Sequence, residues 1–193
     1  MKKGFTIVEV SILLVVFLIV AFLVAPLSLD DTRQAKNTSR WRIVQDEFKN
    51  ISYSITTQLK ESPKAKFNQV FEDTLSTDIK EPVEVYKILF MDGSIPNETY
   101  RFQDFMSTRS GAVIAYKLYK NTNNSIKGII MYDINGKTGP NVWGKDVFGF
   151  NIYKDRFEPF GKTENKETQK QDCSKNGTGL YCSNYYLSGG NFE

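Results

Sequence analysis

The chain begins MKKGFTIVEVSILLVVFLIVAFLVA (residues 1–25), and this stretch decides the fold class. Two lysines and a glycine precede an apolar run, residues 5–25, whose one charged side chain is Glu9. At about 1.5 Å per residue, a helix over this run would be roughly 31 Å long, which matches the hydrocarbon core of a bilayer. The run therefore predicts a membrane-spanning helix.

Glu9 makes this predicted helix unusual. A carboxylate inside a spanning helix costs on the order of 2.5 kcal/mol or more, so Glu9 is expected to have a partner. A plain signal anchor explains the two lysines, which the positive-inside rule places in the cytoplasm, but it leaves Glu9 unexplained. A cleaved secretory signal fits poorly, because no small-residue cleavage box follows the run.

The segment KKGFTIVE (residues 2–9) resembles the class III leader of type IV pilins and type II secretion pseudopilins. The resemblance implies that a prepilin peptidase cuts between Gly4 and Phe5 and that Phe5 is then N-methylated. It also implies an assembly role for Glu9, whose carboxylate would meet the N-terminal amine of a neighbouring subunit. Pro26 falls where pilins commonly have a helix-bending proline.

The same resemblance implies a function and a location. The chain would be a pilin or pseudopilin, assembled with like and unlike subunits into the filament of a type IV pilus, a type II secretion system or a DNA-uptake system. Before assembly it would sit in the inner membrane, in contact with lipid and an assembly platform, with its head outside the cytoplasm. The filament would be extracellular or would span the periplasm. The alternative is a low-copy minor pilin whose head initiates assembly or binds a surface, substrate or DNA.

The pattern after Pro26 predicts a pilin-like α+β fold, with one long bent N-terminal helix packed on a small antiparallel sheet. Residues 29–61 place apolar side chains three and four positions apart, which gives one helical stripe that ends at Pro63. A membrane helix followed by a separate helix is the alternative. The predicted organisation is a leader (1–4), a transmembrane and assembly helix (5–28), its amphipathic continuation (29–62) and a globular head (63–193).

The head has β patterns in its second half. The β-branched and aromatic runs AVIAYKLYK and IKGIIMYDI, separated by a polar turn, predict an antiparallel hairpin. VFGFNIYKD and RFEPF predict two further strands, so the sheet is expected at about 111–160. Within 64–110, KFNQVFEDTL is typical of a short amphipathic helix, and VEVYKILFM resembles a strand.

The composition argues against catalysis and against nucleic-acid binding. The sequence has no histidine, which excludes His-dependent triads and His-ligated zinc, and no other catalytic constellation is visible, so we expect no enzymatic activity. Without Lys2 and Lys3, 23 of the 25 basic side chains remain against 22 acidic ones, and they are interleaved. The less favoured alternative is a membrane-anchored enzyme.

Two further features predict sites in the head. Cys173 and Cys182 are the two cysteines, and in an exported domain they predict a disulfide that closes a small loop; two free thiols are the alternative.

The segment DINGKTGPNVWGKDVFGF (133–150) is rich in turn formers, and it is similar to the C-terminal region of many minor pilins and pseudopilins, some of which bind calcium nearby. No cofactor is required, but a structural Ca²⁺ is possible, and the alternative is a turn in which Asp and Asn bond backbone amides. The candidate oxygen ligands are Asp133, Asn135, Asn141 and Asp146.

Overall fold

The structure is a computed structural model that describes residues 6–62, 66–76, 79–83, 86–119 and 125–191. The chain divides into two compact units, Met1–Lys36 and Asn37–Glu193, which are treated separately. The helices and strands in chain order are α1 (Ile7–Glu61), α2 (Phe67–Ser76), β1 (Ile79–Val83), β2 (Phe105–Thr108), β3 (Val113–Leu118), β4 (Ile126–Asp133), β5 (Val147–Tyr153), β6 (Phe157–Pro159), α3 (Lys166–Asp172) and α4 (Cys182–Tyr185).

The predicted membrane helix is wrong. Within the described ranges there is no long bent helix with a spanning half, and no helix there is long and apolar enough to cross a membrane. This finding also conflicts with the membrane location and with the prepilin-type leader that the resemblance implies. Helix α1 continues through Pro26, so the proline does not end it.

The predicted α+β class and antiparallel sheet are confirmed. Six strands pair antiparallel with their neighbours in the order β1-β2-β3-β4-β5-β6. The expected hairpin is β3–β4, in which Ala115 lies opposite Met131, and β5 and β6 are the two further predicted strands. Strands β1 and β2 extend the sheet to residues that precede 111.

The α1 residues of the second unit form the buried stripe that their spacing predicts. The Trp41 ring stacks on Phe148 with a centroid separation of 4.7 Å, and its Nε1 donates a hydrogen bond to the Ser183 carbonyl at 2.7 Å. Phe48 stacks on Phe150 at 4.8 Å. These rings are buried between the helix and one face of the sheet, and α2 covers the same face with Val70, Phe71 and Leu75.

The opposite face of the sheet is covered by the loops and the C-terminal segment. A second buried cluster there includes Trp143, Val147 and Phe160. The predicted disulfide is confirmed, with Cys173 and Cys182 bonded to each other at the end of α3 and the start of α4. Because both sheet faces are buried, the loop between β4 and β5 is held between packed elements, and this loop carries the predicted metal ligands.

Candidate functional site

The β4–β5 loop is a tightly folded turn that connects Asp133, the last residue of β4, to Val147, the first of β5. Gly144 takes a φ of 81°, and a Cβ there would lie 2.5 Å from the Cys182 sulfur, so only glycine fits. Asn141 has a φ of 53°, in the left-handed region that asparagine tolerates better than most residues. The turn brings the four predicted ligands together, because Asn135 donates to both Asp133 and Asp146, and Asp146 also accepts from the backbone amide of Asn141.

Asp146 is the acceptor that organises this loop. Its side chain is fully buried, and its Oδ1 accepts a hydrogen bond from the Val142 amide at 2.7 Å. Its Oδ2 accepts from the Asn141 amide at 3.0 Å and from Asn135 Nδ2 at 3.3 Å. The two hydrogen bonds from backbone amides hold the chain where it turns back into β5. Asp146 therefore stabilises a turn, which is the role that the sequence offers as the alternative to calcium binding.

Asp133 is fully buried and is held by a different set of donors. Its Oδ1 accepts from the Asn135 amide at 3.0 Å, and its Oδ2 accepts from the hydroxyl of Tyr86. Burial raises the pKa of Asp133 to about 8, and the neighbouring charge of Asp146 adds to the increase. Burial, followed by the charge of Asp133, also raises the pKa of Tyr86 far above its usual range. Two carboxylates, those of Asp133 and Asp146, therefore share one buried space.

Two amide oxygens in the cluster lack a donor. Asn135 Oδ1 and Asn141 Oδ1 are buried and accept no hydrogen bond from any residue that the structure describes. Buried polar atoms in native proteins are almost always satisfied, so two orphaned acceptors beside two carboxylates need an electropositive partner. Oxygen donors of this kind suit a hard cation such as Ca²⁺. The described residues contain no group of three or more His, Cys, Asp or Glu side chains arranged for a metal, so amide oxygens would have to complete this one.

Tyr86 was not predicted from the sequence. It lies 47 positions before Asp133, in the segment VEVYKILFM that resembled a strand, and nothing in that pattern connects it to the loop. The connection arises because an isolated parallel bridge pairs Leu89 with Val142, with Leu89 N donating to the Asn141 carbonyl at 3.1 Å. The site therefore has a fifth polar member that only the tertiary fold supplies.

The predicted N-terminal site is described only in part, because Gly4 and Phe5 lie outside the described residues and their processing stays a prediction. Glu9 has an intrachain partner. Its Oε2 accepts hydrogen bonds at 2.8 Å from both the amide and the hydroxyl of Thr6, while its own amide donates to Thr6 Oγ1 at 3.3 Å. This reciprocal pair is a capping box at the start of α1, and the Thr6 bonds lower the pKa of Glu9.

Comparisons with known proteins do not extend these observations. No protein-family profile matches the chain, and neither the curated proteins nor the solved structures include a match.

Proposed function

We propose that the chain is a structural subunit of a pilin- or pseudopilin-type filament. The observation that carries the proposal is the apolar surface of residues 7–22. Every large hydrophobic side chain in this part of α1 is more than half exposed, from Val10 at 51% to Ile7 at 87%. Isolated exposed hydrophobic residues are ordinary, but a continuous apolar surface of this size marks an interaction site.

Further copies of the same helix are the partner that suits this surface. A helix that is apolar on all sides becomes buried in the working protein, and a bundle of identical helices supplies an equally apolar environment. Copies related by a repeated translation and rotation form an open filament instead of a closed oligomer. The second unit has a well-packed core and a disulfide, which suits a folded head displayed around such a bundle.

Charged substitutions on this surface test the proposal. We expect Leu13→Lys combined with Phe17→Lys to reduce filament yield by at least about a hundredfold, because two unpaired charges would have to be buried between subunits. Ile95→Lys is the matched control, because Ile95 is a 66% exposed residue of the second unit. Yield is measured by electron microscopy of the sheared filaments, and equal melting temperatures show that the heads remain folded. Normal filaments from the double variant would overturn the proposal.

Glu9 offers a second test, in which the cap and the charge are separated. Glu9→Gln keeps an oxygen that can cap Thr6 but has no charge, whereas Glu9→Val loses both. If the carboxylate pairs with a neighbouring subunit, both variants should reduce incorporation into wild-type filaments by at least about tenfold. Quantitative mass spectrometry of mixed filaments measures this. Normal incorporation of Glu9→Gln together with loss of Glu9→Val would restrict Glu9 to capping. The same measurement counts subunits, and a handful per filament would favour the minor-pilin alternative.

We also propose that the β4–β5 loop binds a hard divalent cation, most simply Ca²⁺, as a structural element of the head. The orphaned oxygens of Asn135 and Asn141, beside two buried carboxylates, favour it. The cation would bind Asp133 and the amide oxygens, while Asp146 keeps its backbone donors. A calcium-dependent rise in melting temperature is the test.

A further inference from the structure

One helical face of the second unit is exposed to solvent. Arg40, Ile43 and Glu47 follow each other at three- and four-residue intervals on α1, so they lie on the same face. Ile43 is 61% exposed, and Arg40 and Glu47 are also exposed. Among the described residues, neither of these two charged side chains makes a salt bridge. An exposed isoleucine thus lies between a positive and a negative side chain on one face of the helix.

A depression in the surface accompanies this face. A cavity of about 360 Å³ opens between α1 and the turn that joins β2 to β3, and all three side chains line it. Its apolar wall is formed by Val44, Ala112 and Ile134. The cavity is large enough to receive an aliphatic side chain from another molecule, and its charged rim would then decide how that molecule is oriented.

The order of the charges is complementary to itself. When two copies of a helix lie antiparallel about a two-fold axis, a residue of one copy faces the residue of the other copy that lies equally far from the axis in the opposite direction along the sequence. With the axis between positions 43 and 44, Arg40 of each copy faces Glu47 of the other, and the two Ile43 side chains meet beside the axis. A parallel arrangement would instead bring like charges together.

We propose that this face of α1 binds a second copy of the chain as an antiparallel, two-fold symmetric pair. Ile43 of each copy enters the cavity beside α1 of the other, and two Arg40–Glu47 ion pairs flank the contact. A polar filament keeps its subunits in one direction, so this pair is a state separate from the filament. The inference therefore does not rest on the proposed function.

Disulfide trapping tests the geometry in the full-length chain. Both native cysteines are bonded to each other, so an introduced cysteine is the one free thiol. Ile43→Cys lies beside the axis and should give a covalent dimer on mild oxidation in detergent, which covers the apolar surface of residues 7–22. Tyr53→Cys is the control, because Tyr53 is an exposed α1 residue away from the face. We expect at least about tenfold less dimer from it, since its thiols are not held close together. Equal yields would overturn the proposal.

Charge exchange tests the pairing independently. Arg40→Glu and Glu47→Arg each create two repulsive pairs, and each should weaken the dimer on the order of tenfold as measured by analytical ultracentrifugation. The double variant R40E/E47R restores opposite charges across the axis and should recover the wild-type dissociation constant. If the double variant stays as weak as the single ones, or if no variant changes dimerisation, the proposed interface is wrong. Filament yield need not change in any of these variants, which separates this test from that of the filament.

Discussion

Asp146→Ala is expected to lower the free energy of unfolding of the head by about 3–6 kcal/mol. The substitution removes the acceptor of the Asn141 and Val142 amides, and both lie where the loop is held against the core. Each buried donor that loses its partner costs about 1–3 kcal/mol, and the cavity adds to this. Since domains of this size are stable by about 5–15 kcal/mol, the variant should unfold at markedly lower denaturant concentration.

Urea unfolding followed by circular dichroism measures the effect. Asp146→Asn keeps one acceptor oxygen and should lose about half as much stability as Asp146→Ala. Asp155→Ala is the matched control, because Asp155 is an exposed aspartate whose side chain pairs with Arg156 at 3.0 Å on the surface. Its unfolding free energy should change by no more than about 0.5 kcal/mol. If Asp146→Ala were as mild as this control, the loop would not depend on the carboxylate.

Part of the head could be predicted from sequence because its signals are local. The α1 stripe of Trp41, Val44 and Phe48 has helical spacing, and the β3–β4 hairpin consists of two β-branched and aromatic runs separated by a polar turn, so each pattern specifies its own element. The short strand β2 (Phe105–Thr108) has only four residues and no period of its own. It forms because β1 and β3 pair with it from either side, which is tertiary information.

The candidate site shows which information the sequence patterns lack. In the β4–β5 loop, the four oxygen-bearing residues could be selected because they are close in sequence. Tyr86 could not, because its hydroxyl reaches Asp133 through the pairing of Leu89 with Val142. Sequence patterns therefore predict which residues are near a site along the chain but not which distant residue completes it.

The stability of the calcium-free head should fall as the pH rises from about 4 to about 8. The pKa of Asp133 is raised from 3.8 to about 8 in the folded protein, so over this range the folded state holds a proton that the unfolded chain has released. The folded state binds the extra proton on Asp133, so low pH favours it. The resulting stabilisation of the folded state is complete below about pH 4 and is lost as the pH passes 8. Asp133→Asn should flatten this slope, whereas Asp104→Asn, at an exposed aspartate, should leave it unchanged.

Calcium should reverse this behaviour if the loop binds it. A cation binds the ionised form of Asp133 and competes with the proton, so its effect must grow with pH. At calcium concentrations about 100 times the dissociation constant, the stabilisation is about 2.7 kcal/mol, which corresponds to a rise in melting temperature of roughly 5–10 °C. We expect this shift at pH 9, a smaller one at pH 6, and almost none in Asp133→Asn at either pH. A calcium shift that is absent at pH 9 would overturn the cation proposal and leave the loop as a turn. A shift that persists in Asp133→Asn would place the cation elsewhere, since the carboxylate that must give up its proton would then not be a ligand.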